Sequence, residues 1–128
     1  MNQDLTFSSH ERLKSRKLIS RIFAAGNSYM AYPVRIAWTP APEGLPTQVA
    51  FSVPKRNFKT AVSRNLLKRR MREAYRLNKA EWLDHLQQAE LGPLNVMLVY
   101  VAKESLPYDE IERGIKKMIR KFPYPEKS

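Results

Sequence analysis

Residues 51–79, FSVPKRNFKTAVSRNLLKRRMREAYRLNK, restrict the fold more than any other part of the chain. From 55 to 79 there are ten basic residues and one acid, Glu73. Charges that dense repel one another, so the segment must hold them in solvent or set them against a polyanion. A helical period runs through it all the same. Leu67, Met71, Ala74 and Tyr75, with Asn78, share one side of a wheel turning about 100° per residue. Arg64, Asn65, Lys68, Arg69, Arg72 and Arg76 cover the adjoining and opposite sides, and Arg64, Lys68 and Arg72 repeat every fourth residue as one ridge. The expectation is a helix with one face to bury and one broad cationic face. Arginine suits phosphate in kind as well as in charge: its planar fork of donors matches phosphate oxygens, and its plane stacks on bases. The bland alternative is a solvated basic face. Against it, the run offers almost no acid for i,i+4 pairing.

The whole chain shares the bias, with 23 basic and 12 acidic residues in 128 and a net charge of +11. Such a surplus points to nucleic acid or an anionic membrane surface. The length fits one domain over 1–128, with 1–8 and 123–128 expected as mobile tails. No apolar run approaches the ~20 residues of a spanning helix, and residues 1–9 lack the apolar core of a signal peptide. Cysteine is absent, which excludes disulfides, thiolate metal sites and a cysteine nucleophile, and suits a reducing cytoplasm.

Residues 7–26 read as a short helix with a polar lead-in. Leu13, Leu18, Ile22 and Ala25 set one side, Ile19 and Phe23 are displaced along the wheel, Ser8 or Ser9 caps it, and Gly26 stops it. Val34, Ile36 and Trp38 alternate with Arg35 and Ala37 as a half-buried strand. Residues 39–46, TPAPEGLP, form a loop. A second strand spans 48–53, with Val49, Phe51 and Val53 on one face and Pro54 at its end. The basic helix continues in weaker form through Trp82, Leu86 and Ala89 to a stop at Gly92-Pro93. Residues 95–102, NVMLVYVA, are continuously apolar, as in a central strand buried on both faces. Ile111, Ile115, Met118, Ile119 and Phe122 mark a last helix, with Pro107, Asp109 and Glu110 suited to its N-terminus. From 81 to 110 six acids meet only Lys103, so one side of the protein is expected to be acidic and the other basic. The order implies an α+β sandwich with helices packed on a small sheet.

A protein that cut phosphodiesters by itself would need a carboxylate metal cage or a general acid–base pair. Asp84 and His85 are neighbours in sequence and diverge by about 100° on a helix. Asp109 and Glu110 complement a helix dipole, and His10 lies in the lead-in. Binding without catalytic or metal-ligating side chains is the reading.

Three blocks carry a resemblance. Ser52-Val53-Pro54-Lys55-Arg56, then Ala61-Val62-Ser63-Arg64-Asn65-Leu66-Leu67-Lys68-Arg69, then Arg72-Glu73-Ala74-Tyr75-Arg76 resemble the signature of the bacterial ribonuclease P protein subunit, S-V-S-K-K followed by A-V-x-R-N-R-x-K-R-x-x-R-E-A-F-R. Arg12, Leu13, Phe23 and Gly26 match the family's opening helix, with Ile19 in place of its first aromatic. Leu66 stands where the family usually has Arg, and Arg70 where it has an apolar residue. The resemblance implies a single-domain two-layer α+β sandwich in αβββαβα order, similar to a ribosomal-protein domain. It adds a short strand near 27–31 and a left-handed βαβ crossover through the basic helix, against the usual right-handed rule. It also implies a function. The RNA subunit of ribonuclease P, with Mg2+, removes the 5′ leader of precursor tRNA, while the protein binds that RNA and the single-stranded leader and holds no cofactor firmly itself.

By the same resemblance Arg64, Asn65, Lys68, Arg69 and Arg72 face the catalytic RNA, with Lys55, Arg56 and Arg76 beside them. The leader cleft lies between the first helix and the sheet. Phe23 and Ile19 occupy two of its positions, and Trp38 is the candidate to replace a strand tyrosine that falls at 37 or 38. The expected partners are the catalytic RNA and precursor tRNA, with neither membrane nor DNA. A ribosomal-type or RNA-chaperone protein would use the same features. A DNA groove reader fits less well, with no helix-turn-helix pair and few Asn or Gln on the basic face.

Overall fold

Strand β4 (Leu94–Tyr100) is the centre of the sheet, as its unbroken apolar run requires: every residue but Val99 is buried. In this computed structural model, which describes residues 7–125, it lies between β2 (Val34–Pro40) and β3 (Gln48–Ser52), and β1 (Asn27–Ala31) adds the outer strand, giving the order β1-β2-β4-β3. β1 with β2 and β2 with β4 are antiparallel, whereas β3 and β4 are parallel. The parallel pair is joined by α2 (Ala61–Gln88); α1 (Arg16–Ala25) precedes the sheet and α3 (Tyr108–Lys121) follows it. The expected α+β order stands, including the short strand at 27–31. Residues 1–6 and 126–128 of the expected tails lie outside the described residues. Phe7, placed by sequence in a mobile lead-in, is instead part of the core, with its ring 5.7 Å from Phe51 and 5.8 Å from Tyr75.

The register sorts side chains onto two faces. Ile36, Leu98 and Phe51 lie abreast and join the main core with Leu67, Met71, Tyr75 and Trp82 of α2 and Ile111, Ile115 and Met118 of α3. Ala37, Met97 and Ala50 lie abreast on the other face and pack with Leu13, Leu18, Ile19 and Ile22. Ala37 leaves room for α1 to lie against β2, and Met97 of β4 fills the space beside it.

The first helix departs from its expected form. Ser8 caps only a 3₁₀ turn, Ser9–Glu11, in a reciprocal box with Glu11. Arg12 then forms a lone parallel bridge with Val49, and the Leu13 amide donates to the Val49 carbonyl at 3.0 Å. Pairing with β3 claims those backbone groups, so α1 starts later, behind Ser15, whose hydroxyl accepts from the Leu18 amide at 3.2 Å. Gly26 follows it in extended backbone (φ −77°). It is required by space: a Cβ there would lie 2.5 Å from the Ile22 carbonyl oxygen and 2.8 Å from that of Trp38.

Thr60 caps α2 through the Ser63 amide. The helix ends at Gln88, before Gly92, and Glu90 beyond it takes the left-handed conformation (φ 61°). The Leu91 amide reaches the Leu86 carbonyl and the Glu90 amide that of Gln87, a Schellman closure.

Candidate nucleic-acid interface

The 53–60 loop and the first four turns of α2 carry the cationic face. Lys55 and Arg56 are exposed in the loop, and Asn65, Arg69 and Arg72 are exposed on the helix, with Lys68 half-buried beside them. Asn65, Lys68, Arg69 and Arg72 line a shallow hollow of about 490 Å³ together with Val62 and Leu66. Leu66, which stands out in the sequence, is half-buried there, whereas Val62, which sequence reasoning did not select, is 80% exposed.

Three of the ten cations are committed elsewhere. Arg64 does not stand in the free ridge expected from its i,i+4 spacing. Its Nη1 donates to the carbonyls of Phe58 (2.8 Å) and Lys59 (3.0 Å), holding the loop against the helix. Phe58 is buried there, 5.6 Å from the Tyr100 ring. Arg70 donates from Nη1 to the Leu106 carbonyl at 2.5 Å and so ties α2 to the β4–α3 connection. Lys79 is 3% exposed and its Nζ lies 2.5 Å from Glu11 Oε1, within the core layer. Lys79 falls on the buried stripe one turn from Tyr75 and Trp82, so the wheel alone could have separated it from the others.

Arg76 is half-buried and pairs with Glu73 through Nε (3.1 Å) and Nη2 (2.5 Å). The hydrogen bond from Arg76 holds the Glu73 carboxyl below its usual range. Glu73 thus screens the edge of the cationic face nearest Arg76. No other acid interrupts the helix between Ala61 and Lys79.

A second surface lies on the α1 face of the sheet. Ser28, Ala37, Met97 and Ala50 form one row across the strands, and Met30, Arg35, Val99 and Ser52 form the next. The second row is the more open: Met30 is 51% exposed, and Arg35 is exposed with its Nη2 on Ser28 Oγ at 3.0 Å. Ile19 packs on the Ile22–Ala37–Met97 cluster. Phe23, one turn along α1, is 59% exposed and contributes nothing to the core.

Trp38 does not join them. Strand side chains alternate, so the face that takes Ala37 cannot take Trp38. Trp38 points into the opposite layer, 8% exposed, with ring centroids 4.8 Å from Phe122 and 5.8 Å from Tyr29. Ala37 therefore occupies the position under α1, and the cleft holds one exposed aromatic, Phe23, with a cation, Arg35, that sequence reasoning did not select. Its signal was the shared parity of Arg35 and Ala37.

His85 Nε2 lies 3.6 Å from Glu81 on the exposed side of α2, and His10 sits in the 3₁₀ turn, where its carbonyl accepts from Gln48 Nε2. Among the described residues no group of three His, Asp or Glu is placed to hold a metal ion, and no helix is long and apolar enough to cross a membrane.

The arrangement has known counterparts. A sequence profile of the ribonuclease P family matches residues 7–123. The ribonuclease P protein component of Porphyromonas gingivalis is 34% identical over 123 residues, covering 93% of this chain and 89% of its own length. Among solved structures, the ribonuclease P protein of Staphylococcus aureus shares the fold with a TM-score of 0.68 at 16% identity, covering 89% of this chain and 96% of that one. The protein from Thermotoga maritima does so at 0.66 and 19%, covering 88% and 97%. With its signature blocks on an exposed cationic helix and a match over nearly its full length, the chain belongs to the ribonuclease P protein component family.

Proposed function

We propose that this protein binds the catalytic RNA of ribonuclease P through the exposed face of α2 and the single-stranded 5′ leader of precursor tRNA through the groove beside α1. In this way it assists magnesium-dependent removal of the leader. The observation that carries the reading is the Asn65–Arg69–Arg72 face with Lys68, a dense set of phosphate-binding side chains interrupted only at its edge by Glu73. Cations fixed on a helix offset phosphate repulsion that metal ions would otherwise screen, so the protein lowers the magnesium the RNA needs. The Mg2+ ions belong to the RNA, and the protein's part is binding and positioning. In the groove, Phe23 offers a ring to an unpaired base, and such stacking is worth ~1–3 kcal/mol.

The test is cleavage of precursor tRNA by the catalytic RNA at low magnesium, with and without the purified protein. The protein is expected to raise cleavage and to cut nothing alone. RNA binding with no gain in cleavage would instead favour a ribosomal-type or chaperone role.

A further inference from the structure

On the helical layer, away from the α1 groove, α3 and the β1–β2 turn enclose a hollow of about 280 Å³. Its rim carries Tyr32, 55% exposed, and two cations one helical turn apart, Arg113 and Lys117, with Glu110 a turn before Arg113. Pro33 forms one wall, pressed so close to α3 that a Cβ on Gly114 would lie 2.5 Å from its Cδ. Among the described residues neither Arg113 nor Lys117 makes a hydrogen bond or an ion pair. An exposed aromatic ring beside two cations that form no salt bridge, in a concavity, is the combination that holds a base and its phosphate. Glu110 adds an acceptor suited to a ribose hydroxyl or an exocyclic amine, which a bare phosphate would not use.

One hydrogen bond ties the wall of the hollow to α2. Leu106 lines the hollow, and the Leu106 carbonyl is the group that accepts from Arg70 of α2. Arg69, the residue before Arg70, turns about 100° away to the cationic face already described.

We propose that this hollow is a further RNA site. It takes one unpaired nucleotide, with the base on the Tyr32 ring, the phosphate between Arg113 and Lys117, and a sugar or base donor on Glu110. Its ligand is single-stranded RNA, and the site does not depend on the protein's role in leader removal.

The experiment titrates the full chain, carrying Phe23→Ala in every sample so that the groove beside α1 offers no stacking ring, with a labelled oligoadenylate of about ten nucleotides over a range of salt. It compares the parent with Tyr32→Ala, Lys117→Ala and Lys116→Ala. Lys116 is on the same helix and carries the same charge, but does not line the hollow. Tyr32→Ala is expected to weaken binding about 5- to 150-fold. Lys117→Ala is expected to flatten the slope of log affinity against log salt by about 0.7, and Lys116→Ala by much less. Photo-crosslinking with a thiouridine-substituted strand should label the peptide containing Tyr32. Parent affinity in a folded Tyr32→Ala protein, or equal slopes for Lys116→Ala and Lys117→Ala, overturns the proposal. If Tyr32→Ala does not fold, the lysine pair decides. Precursor cleavage is read separately, so failure of the leader-removal reading leaves this result standing.

Discussion

Arg64 and Arg72 lie on one helix two turns apart, and replacing each by Ala should separate stability from RNA binding. Arg64 donates to two carbonyls of the loop that buries Phe58. Each bond is charge-assisted but half-exposed, so about 1 kcal/mol apiece is the fair figure. Arg64→Ala should therefore cost about 1–2 kcal/mol. With roughly 2.1 cal/mol/K of unfolding entropy per residue over 128 residues, that lowers Tm by about 4–7 °C. Arg72 is exposed and makes no bond to the protein among the described residues. Arg72→Ala should stay within about 0.5 kcal/mol, or ~2 °C, while flattening the salt dependence of catalytic-RNA binding by close to 1 unit. The assays are thermal melts of the free protein and salt titrations of RNA binding for both variants. A melting temperature for Arg64→Ala equal to the parent's, or a salt slope for Arg72→Ala equal to the parent's, would refute the division of labour.

Phe23→Ala should leave the urea midpoint nearly unchanged, whereas Trp38→Ala should cost about 3–5 kcal/mol through its core cavity; equal midpoints would put both rings in the same environment. Glu90→Gly should stabilise by about 0.5–1 kcal/mol, since Glu90 holds a left-handed backbone at the end of α2, where glycine is unstrained; a lower urea midpoint would argue against that strain. Burial, with Glu112 nearby, raises the Tyr108 hydroxyl from 10.0 to about 12, and burial, with Glu81, does the same for Tyr124; burial also raises Tyr29 and Tyr75. The unfolded chain then loses these protons first, so stability holds below about pH 10 and falls as pH rises from there towards 12. Urea midpoints of the free protein measured across that window test this, and a flat profile would contradict it.

Much of the fold could be read because single periods decide it. The β4 run has no polar residue after Asn95 to expose, and the α3 stripe leaves one face to bury. The break before α1 was hidden because its cause is a distant partner, the Val49 backbone; Ser8 and Ser15 are equally good caps in isolation. The alternation of Val34, Ile36 and Trp38 sets Trp38 opposite Ala37, so a cleft role for Trp38 conflicts with the parity of its own strand. Within the basic run, charge counting could not tell where long side chains turn. The stems of Arg64, Arg70 and Lys79 carry their heads to a loop, a connection and the core.

The placement of charge along α2 has a kinetic consequence. Its 28 residues span about 42 Å at 1.5 Å each. Arg64, Lys68, Arg69, Arg70 and Arg72 crowd its first half against Glu73 alone, whereas in its second half Glu81 and Asp84 offset Arg76 and Lys79, and Glu90 follows. The peptide dipoles of a helix also leave its N-terminal end positive. Side chains and backbone therefore polarise the rod in the same sense, where most helices set them in opposition. In the field of a polyanion the helix contributes a torque that favours approach by its Thr60 end. Reversing Glu81 and Asp84 to Lys would raise the net charge yet blunt that alignment. The association rate should then gain less than the added charge alone predicts, although neither residue lies on the cationic face.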